Sequence, residues 1–357
     1  MNAASGKATI SDIAAAAGVS KTTVSRYING RTDLMNEKTA ERIRSVIELL
    51  DYKPSEVARS LKTKKTNLIG VLVADMSSPF STAVIVSASD CLTRSGYTPL
   101  VADCSNSPEK EEEFVKAFRS KGVAGLIVNT TSSTNEFLAA AACEGLPVVL
   151  CDRSVNNHRL NIVTAENRRV FYELIAHLRE QGYTRPVFFT QKWENNSTRS
   201  IRRQSFIDTV KKIYGYDATE DIFLVDDRDR TPITQLKALR KRLRPGDIPA
   251  IVCVNSMTTV QLFRAMQELG IRIPTEMGLC GPEDWNWKSE MNWSLLVEPN
   301  ITTFLLPARE IGRLCAEMII RHIEEPDSET EELYLNCEMI VRESTLRKNH
   351  RNNGLEK

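Results

Sequence analysis

The sequence predicts an α/β protein: a small N-terminal head of three helices, then two lobes with parallel sheets. Three observations carry this. A chain of 357 residues exceeds one ordinary core, so two or three units are expected. The first 53 residues hold only short helical patterns. From Leu68 onward, apolar runs of strand length alternate with helical stretches, the texture of repeated βα units.

In the head, Thr9-Ile-Ser-Asp12 is a capping-box-like start. Ile13, Ala14 and Ala17 then share one apolar face until Gly18 stops the helix, which spans roughly Ser11 to Ala17. Ser20 caps a second helix, with Val24, Tyr27 and Ile28 on one side and Thr22, Arg26 and Asn29 on the other. A third helix starts near Asn36, turns Ala40, Ile43, Ile47 and Leu50 inward, and ends before Pro54. Residues 54–66, with SEVARSLKTKKTN, are helix-compatible but too polar to bury themselves, so they form a linker that a partner orders.

The body, residues 67–347, opens with LIGVLV, TPLVAD, GLIVN and PVVLCD as strands, separated by helices at about 79–95, 108–121 and 134–144. PVFFT, DIFLVD, AIVCVN and GLCG form a second series, with helices at about 198–214, 231–243 and 256–269. The strands end in short polar loops (ADMSSPF, VNTTSS, CDRSV, VNSM, GPEDW), so a ligand crevice belongs at these carboxyl ends. Residues 348–357 are a polar tail without a leucine heptad.

Charge is unevenly placed. Met1 to Lys65 carry 12 Lys+Arg against 7 Asp+Glu, a net +5, and the remainder carries 35 against 39, a net −4. A basic head on a slightly acidic body is expected when only the head meets phosphates. Cys151, Cys253, Cys280 and Cys337 sit in apolar runs and no C-x-x-C occurs, so the eight cysteines read as reduced residues of a cytoplasmic protein. No stretch resembles a signal peptide or a membrane span. No G-x-G-x-x-G, P-loop, H-E-x-x-H or G-x-S-x-G occurs, and the four histidines lack metal spacing. No catalytic residue, metal ligand or cofactor is therefore assigned.

A helix, a tight turn at Ala-Gly-Val-Ser and a second helix make a helix-turn-helix, whose second helix enters the major groove. Lys21, Thr22 and Arg26 are the candidate base readers, since Arg forks to guanine and Thr packs its methyl on thymine. Ser20, Thr23, Ser25 and Asn29 suit phosphate oxygens. A helical hairpin with a polar outer face would give the same pattern; the charge split and the linker favour DNA.

TISDIAAAAGVSKTTVSRYING, LDYKPSEVARSL and IGVLVADMSSPF together resemble the LacI/GalR family of bacterial transcription regulators, over about residues 8 to 347. The resemblance implies a periplasmic-binding-protein-like core, a homodimer on a pseudo-palindromic operator, and a small effector in the cleft that changes operator affinity. It also implies that V-A-R-S-L is a hinge helix, with Leu61 wedged into a base step and Arg59 in the minor groove.

Carried over by position, the effector contacts are Ser77, Ser78, Phe80, Asn129, Asp152, Arg153, Thr198 and Arg202; Arg199, Asn255, Glu283 and Trp285 join them. Ser78 suits a helix cap and Pro79 the first helical position. The family's Asn-Asp pair reads Asn255-Ser256 here, its Gly-Tyr-Asp-Asp reads Gly281-Pro282-Glu283-Asp284, and its Gln-Pro reads Leu306-Pro307. Asp284-Trp-Asn-Trp287, followed by Pro299-Asn-Ile-Thr-Thr303, resembles the branch regulating catabolism of 2-keto-3-deoxygluconate and related sugar acids. Trp285 and Trp287 fall on one side if the stretch is extended, with Trp293 beyond. A tryptophan suits a sugar ring's C–H face or serves as filler under a loop, and filler is the better reading for any single one. Arg153, Arg199 and Arg202 would suit an anionic ligand, or would pair with Glu194 or Asp152. The rivals to a repressor are a stand-alone two-lobed sugar-binding protein and a sugar-acid enzyme without a DNA role.

Overall fold

Thr9 starts the head as the capping box requires: its amide donates to Asp12 Oδ2 at 2.7 Å and its hydroxyl accepts from the Asp12 amide at 3.4 Å. The first helix, α1 (Ile10–Ala17), ends on Gly18, whose φ of +64° suits a residue without a side chain. The Gly18 and Val19 amides then turn back onto the carbonyls of Ala15 and Ala14. After this turn come α2 (Lys21–Ile28) and α3 (Glu37–Leu49). Ile13, Ala14, Ala17, Val24 and Ile43 close one small core, with Tyr27, Ile28 and Tyr52 against it. The structure is a computed structural model describing residues 8–28, 31–32, 35–52, 66–226, 230–282 and 292–347.

Leu50 departs from the expected inward face and is 39% exposed. It lies past the last helical turn, so the helical phase no longer carries its side chain inward. The chain reverses at Asp51, with φ +41°, and Tyr52 packs on the core instead.

Residues 67–357 separate from residues 1–66 as a second compact unit. Its first sheet has the order β2 (Thr98–Asp103), β1 (Leu68–Val73), β3 (Gly125–Val128), β4 (Val148–Cys151), β5 (Asn161–Ala165) and β11 (Glu332–Leu335), with every pair parallel. Its second has the order β7 (Ile222–Leu224), β6 (Arg185–Thr190), β8 (Pro249–Cys253), β9 (Gly278–Pro282), β10 (Thr302–Leu305) and β12 (Glu338–Ile340). Only the β12 pairing is antiparallel among the described pairs. Strands β1, β3, β4 and β8 are nearly or wholly buried, which explains their unbroken apolar runs.

The connecting helices are α4 (Pro79–Arg94), α5 (Pro108–Ser120), α6 (Glu136–Cys143), α7 (Asn167–Glu180), α8 (Ser197–Tyr214), α9 (Thr231–Arg242), α10 (Ser256–Glu268) and α11 (Ala308–Glu324). The six helices expected in the body match α4, α5, α6, α8, α9 and α10 within a residue or two. One apolar cluster includes residues of both sheets, and within it Phe171 of α7 sits edge-on to Phe188 of β6 and Phe304 of β10, at 5.9 and 5.8 Å. Such ring pairs add about 0.5–1.5 kcal/mol each beyond burial. α11 crosses α4 at Gly312, where an added Cβ would lie 2.5 Å from the Val84 carbonyl oxygen.

The chain passes between the sheets three times: from β5 through α7 to β6, from β10 through α11 to β11, and from β11 directly to β12. Two crossings are tied together by the Glu166 amide, which donates to the Leu335 carbonyl at 2.7 Å. All eight cysteines are free, and six are buried. Burial raises Cys104 and Cys253 to about 12, keeping them protonated. Among the described residues no helix is long and apolar enough to cross a membrane.

Candidate functional site

On the head, Ser20 Oγ accepts from the Thr23 amide at 3.1 Å and lies 2.8 Å from Thr23 Oγ1. This cap fixes the start of α2, while Val24 at 0% exposure holds its inner face. Lys21, Thr22 and Arg26 are consequently exposed side by side, at spacings of one and four. Ser20 is exposed with them, and Thr23 and Ser25 are partly covered. Exposed Arg31, Lys38 and Arg42 extend the positive charge of the head. Asn29, Arg59 and Leu61 lie outside the described residues.

In the body, adjacent strands put the carboxyl ends of β1, β3 and β4 side by side in one lobe, and those of β6, β8 and β9 in the other. Asp152 follows β4 with φ +65°, a left-handed backbone that a non-glycine residue adopts only when its surroundings hold it. They do: its amide donates to Val163 O, and its carbonyl accepts from Thr164 Oγ1 at 2.9 Å. Thr198, in the first turn of α8, reaches across from the other lobe to within 3.1 Å of Asp152 Oδ2. Asp152 Oδ1 is shielded from solvent and has no hydrogen-bond partner among the described residues.

Asn129 at the end of β3 is buried and donates to the Cys151 carbonyl at 2.8 Å. Arg153 lays one guanidinium nitrogen on the Thr130 carbonyl at 3.0 Å. Behind them Cys151 is held protonated by its contact with Cys315 and by burial. Asn129, Asp152, Arg153 and Thr198 thus form one connected group. Arg202, 3% exposed, donates to Asn167 Oδ1 and Val254 O at 2.8 and 2.7 Å, which binds α8 to the end of β8. Next to Val254, Asn255 caps α10 through the Thr258 amide and donates to Gln191 Oε1 at 2.9 Å. Arg199 donates to the Lys192 carbonyl.

Ser77, Ser78 and Phe80 stand at the end of β1. Ser78 occupies the cap position of α4 but its hydroxyl makes no capping bond, contrary to expectation. Asp75 organises this turn instead, accepting from the Ser77 amide and hydroxyl at 2.9 and 2.6 Å. Phe80 packs partly against the main core. Glu283 and Trp285 lie outside the described residues, and Trp293 packs under the second lobe as filler.

Two further direct bonds between the lobes involve residues that were not singled out from the sequence. The Ser133 amide donates to Asn195 O, and the Ser154 amide to Ser197 Oγ, both at 2.9 Å. Ser133 and Ser154 fall in or just beside the polar loops already noted, but backbone donors leave no residue-type signal. Glu111 was not singled out either, since it stands among four other charged residues in PEKEEEF. Its spacing from Val115 and Phe118 would have found it, since residues four and seven apart share a helix face.

A basic three-helix head and a two-lobed α/β body with a polar interlobe cleft define a ligand-responsive DNA-binding regulator. Residues 9–55 match the description "Bacterial regulatory proteins, lacI family", and residues 66–343 match "Periplasmic binding proteins and sugar binding domain of LacI family". The chain belongs to the LacI family and is a DNA-binding transcriptional regulator.

It is 33% identical over 340 residues to the HTH-type transcriptional regulator KdgR of Bacillus subtilis (strain 168), covering 95% of this chain and 98% of that one. It is 33% identical over 343 residues to the HTH-type transcriptional regulator PtxS of Pseudomonas aeruginosa, covering 95% and 96%. The lac repressor dimer bound to operator and the anti-inducer ONPF shares its fold, with a TM-score of 0.80 at 20% identity over 96% of this chain and 100% of that one. These relatives are regulators, in agreement with the reading of the chain as a regulator rather than an enzyme.

Proposed function

We propose that the protein is a cytoplasmic repressor of sugar-acid catabolism genes. It binds a pseudo-palindromic operator as a homodimer and responds to a keto or aldonic sugar acid such as 2-keto-3-deoxygluconate. Two half-sites need two heads, and twofold symmetry supplies them. Lys21, Thr22 and Arg26 read bases; Ser20, Thr23, Ser25 and Asn29 hold phosphates; Arg59 and Leu61 work in the minor groove.

One observation carries the ligand reading: the buried carboxylate oxygen of Asp152, without a partner among the described residues and held at the junction of the lobes, where Thr198 reaches the same carboxylate. The Arg153 guanidinium lies on the neighbouring loop at the Thr130 carbonyl. A carboxylate accepts from sugar hydroxyls, and a guanidinium pairs with a ligand carboxylate. A sugar acid offers both kinds of group. Asn129, Thr198, Asn255, Ser77, Ser78, Phe80, Arg199, Arg202, Glu283 and Trp285 complete the proposed cleft. The similarity to KdgR supports this ligand class. An effector acts only through unequal affinity for two arrangements of the lobes, typically about 1–3 kcal/mol of coupling.

The test is titration calorimetry of the full chain with 2-keto-3-deoxygluconate, 2-ketogluconate, gluconate, glucose and hypoxanthine, paired with mobility shifts on DNA upstream of sugar-acid genes. Tight binding of an acid together with a changed shift is expected. Tight binding confined to neutral sugars or purines would reject the ligand class.

A further inference from the structure

Glu111 is the fully buried carboxylate on α5, at 0% exposure, in a helix whose other acidic residues face outward or are half-covered. Its two oxygens serve one loop. Oε1 accepts from the Thr130 hydroxyl at 2.8 Å, and Oε2 accepts from the Thr131 amide at 2.5 Å. A charged acceptor makes such bonds roughly twice as strong as neutral ones. That loop, between β3 and α6, carries two further connections. The Thr130 carbonyl is the seat of the Arg153 guanidinium, and the Ser133 amide donates to Asn195 in the other lobe.

The opposite end of the contact is anchored as well. Ser200 Oγ and the Asn196 amide both donate to the Trp193 carbonyl, and the Arg203 guanidinium stacks over the Trp193 ring at 4.6 Å. Two loops held from behind therefore meet at one interlobe hydrogen bond.

We infer that Glu111 is a positioning residue for the effector response: from behind the cleft it sets the loop that seats Arg153 and closes onto Asn195. It touches no ligand itself. The inference rests on the sugar-acid reading for its affinity readout and on geometry alone for its structural one.

The test compares Glu111→Leu and Glu111→Gln in the full chain. Leucine removes both acceptors. Glutamine keeps one, because its carbonyl can accept from the Thr131 amide while its NH₂ donates to Thr130 Oγ1, whose proton then turns to the Ser132 carbonyl, 3.0 Å away. Two quantities are read: hydrogen exchange at the Thr131 and Ser133 amides, and affinity for 2-keto-3-deoxygluconate by calorimetry.

Glu111→Leu should speed exchange at both amides at least tenfold and weaken the ligand at least tenfold. Operator affinity without ligand should stay within twofold, and Glu111→Gln should recover the ligand to within about threefold of wild type. In an Arg153→Ala background the ligand loss from Glu111→Leu should shrink, since the seat then has no occupant. Unchanged exchange at Thr131 and Ser133 would overturn the inference, as would an equal fall in ligand and operator affinity. If wild type ignores every sugar acid, the ligand reading fails, and amide exchange still decides the role of Glu111. Should Glu111→Leu not fold, Glu111→Gln and Glu111→Ala, which leaves the loop amide unpaired, carry the same comparison.

Discussion

The Thr198 hydroxyl lies 3.1 Å from Asp152 Oδ2 and 3.2 Å from the Asp152 carbonyl oxygen, joining the first turn of α8 in one lobe to the end of β4 in the other. One hydroxyl proton cannot satisfy both acceptors. Asp152 therefore keeps accepting capacity, which in the proposed site a ligand hydroxyl would fill.

Thr198→Val keeps the volume and removes the donor. Leaving a buried acceptor unmatched costs about 1–3 kcal/mol, so 2-keto-3-deoxygluconate should bind roughly 5–150-fold more weakly. Asp152→Asn tolerates the left-handed backbone and keeps the fold, but loses the charge, and should weaken the ligand by at least tenfold. Titration of both variants reads the effect. Affinities within twofold of wild type would remove this pair from the cleft.

On the head, Arg26 is exposed one turn beyond Thr22, with its guanidinium available for a two-pronged contact to guanine. Arg26→Ala should cost about 1–3 kcal/mol on the specific operator. Binding to random duplex should fall far less. Fluorescence anisotropy at two salt concentrations separates the outcomes, because loss of a phosphate contact would weaken both duplexes alike and lower the salt slope by about one.

The crossing of α4 and α11 makes a stability prediction independent of any ligand. A Cβ at Gly312 would lie 2.2 Å from Ser87 Oγ, 2.5 Å from Val84 O and 3.0 Å from Val84 Cα. The hydroxyl can rotate away, but the backbone cannot. Gly312→Ala should therefore push the helices apart and cost about 1–3 kcal/mol despite the better helix propensity of alanine. Urea unfolding followed by circular dichroism would measure it. A stabilised variant would mean that the crossing yields freely.

Particular residues show how much of this was legible in the sequence. β1 and β4 are buried on both faces, so their sequences are unbroken apolar runs. β11 and β12 were unassigned because edge strands bury only half their side chains, and Glu332-Leu-Tyr-Leu335 and Glu338-Met-Ile340 read as mixed turns. β5 and β10, with Asn161-Ile-Val-Thr-Ala165 and Thr302-Thr-Phe-Leu305, carry polar residues at Asn161, Thr164, Thr302 and Thr303 and so lack the unbroken apolar run that marks β3 and β4. α7 and α11 went unassigned because they join strands of different sheets, outside the local βα rhythm. In the cleft, residues at strand ends were reachable, since topology alone puts Asn129, Asp152 and Asn255 at carboxyl edges. Contacts made by backbone amides, such as Ser133 to Asn195, were not.

His177 supplies a pH dependence of stability. It is buried on α7, and its Nε2 lies 2.8 Å from Thr345 Oγ1, which in turn lies 2.6 Å from Thr302 Oγ1. Burial pushes its pKa below the ordinary 6.5, against a smaller opposing pull from Glu180. Below about 6.5 the unfolded chain takes up a proton that the folded chain resists, so folding stability falls as pH drops through this window. Above 6.5 both states hold a neutral ring, and the stabilisation is fully present. Thermal unfolding should show Tm falling between pH 7 and 5, with a shallower fall in His177→Gln, whose amide bonds Thr345 without titrating. Other groups titrate in the same range, so the difference between the two slopes is what reports His177. Parallel slopes would mean that the imidazole gains a proton in the folded state as readily as in the unfolded chain.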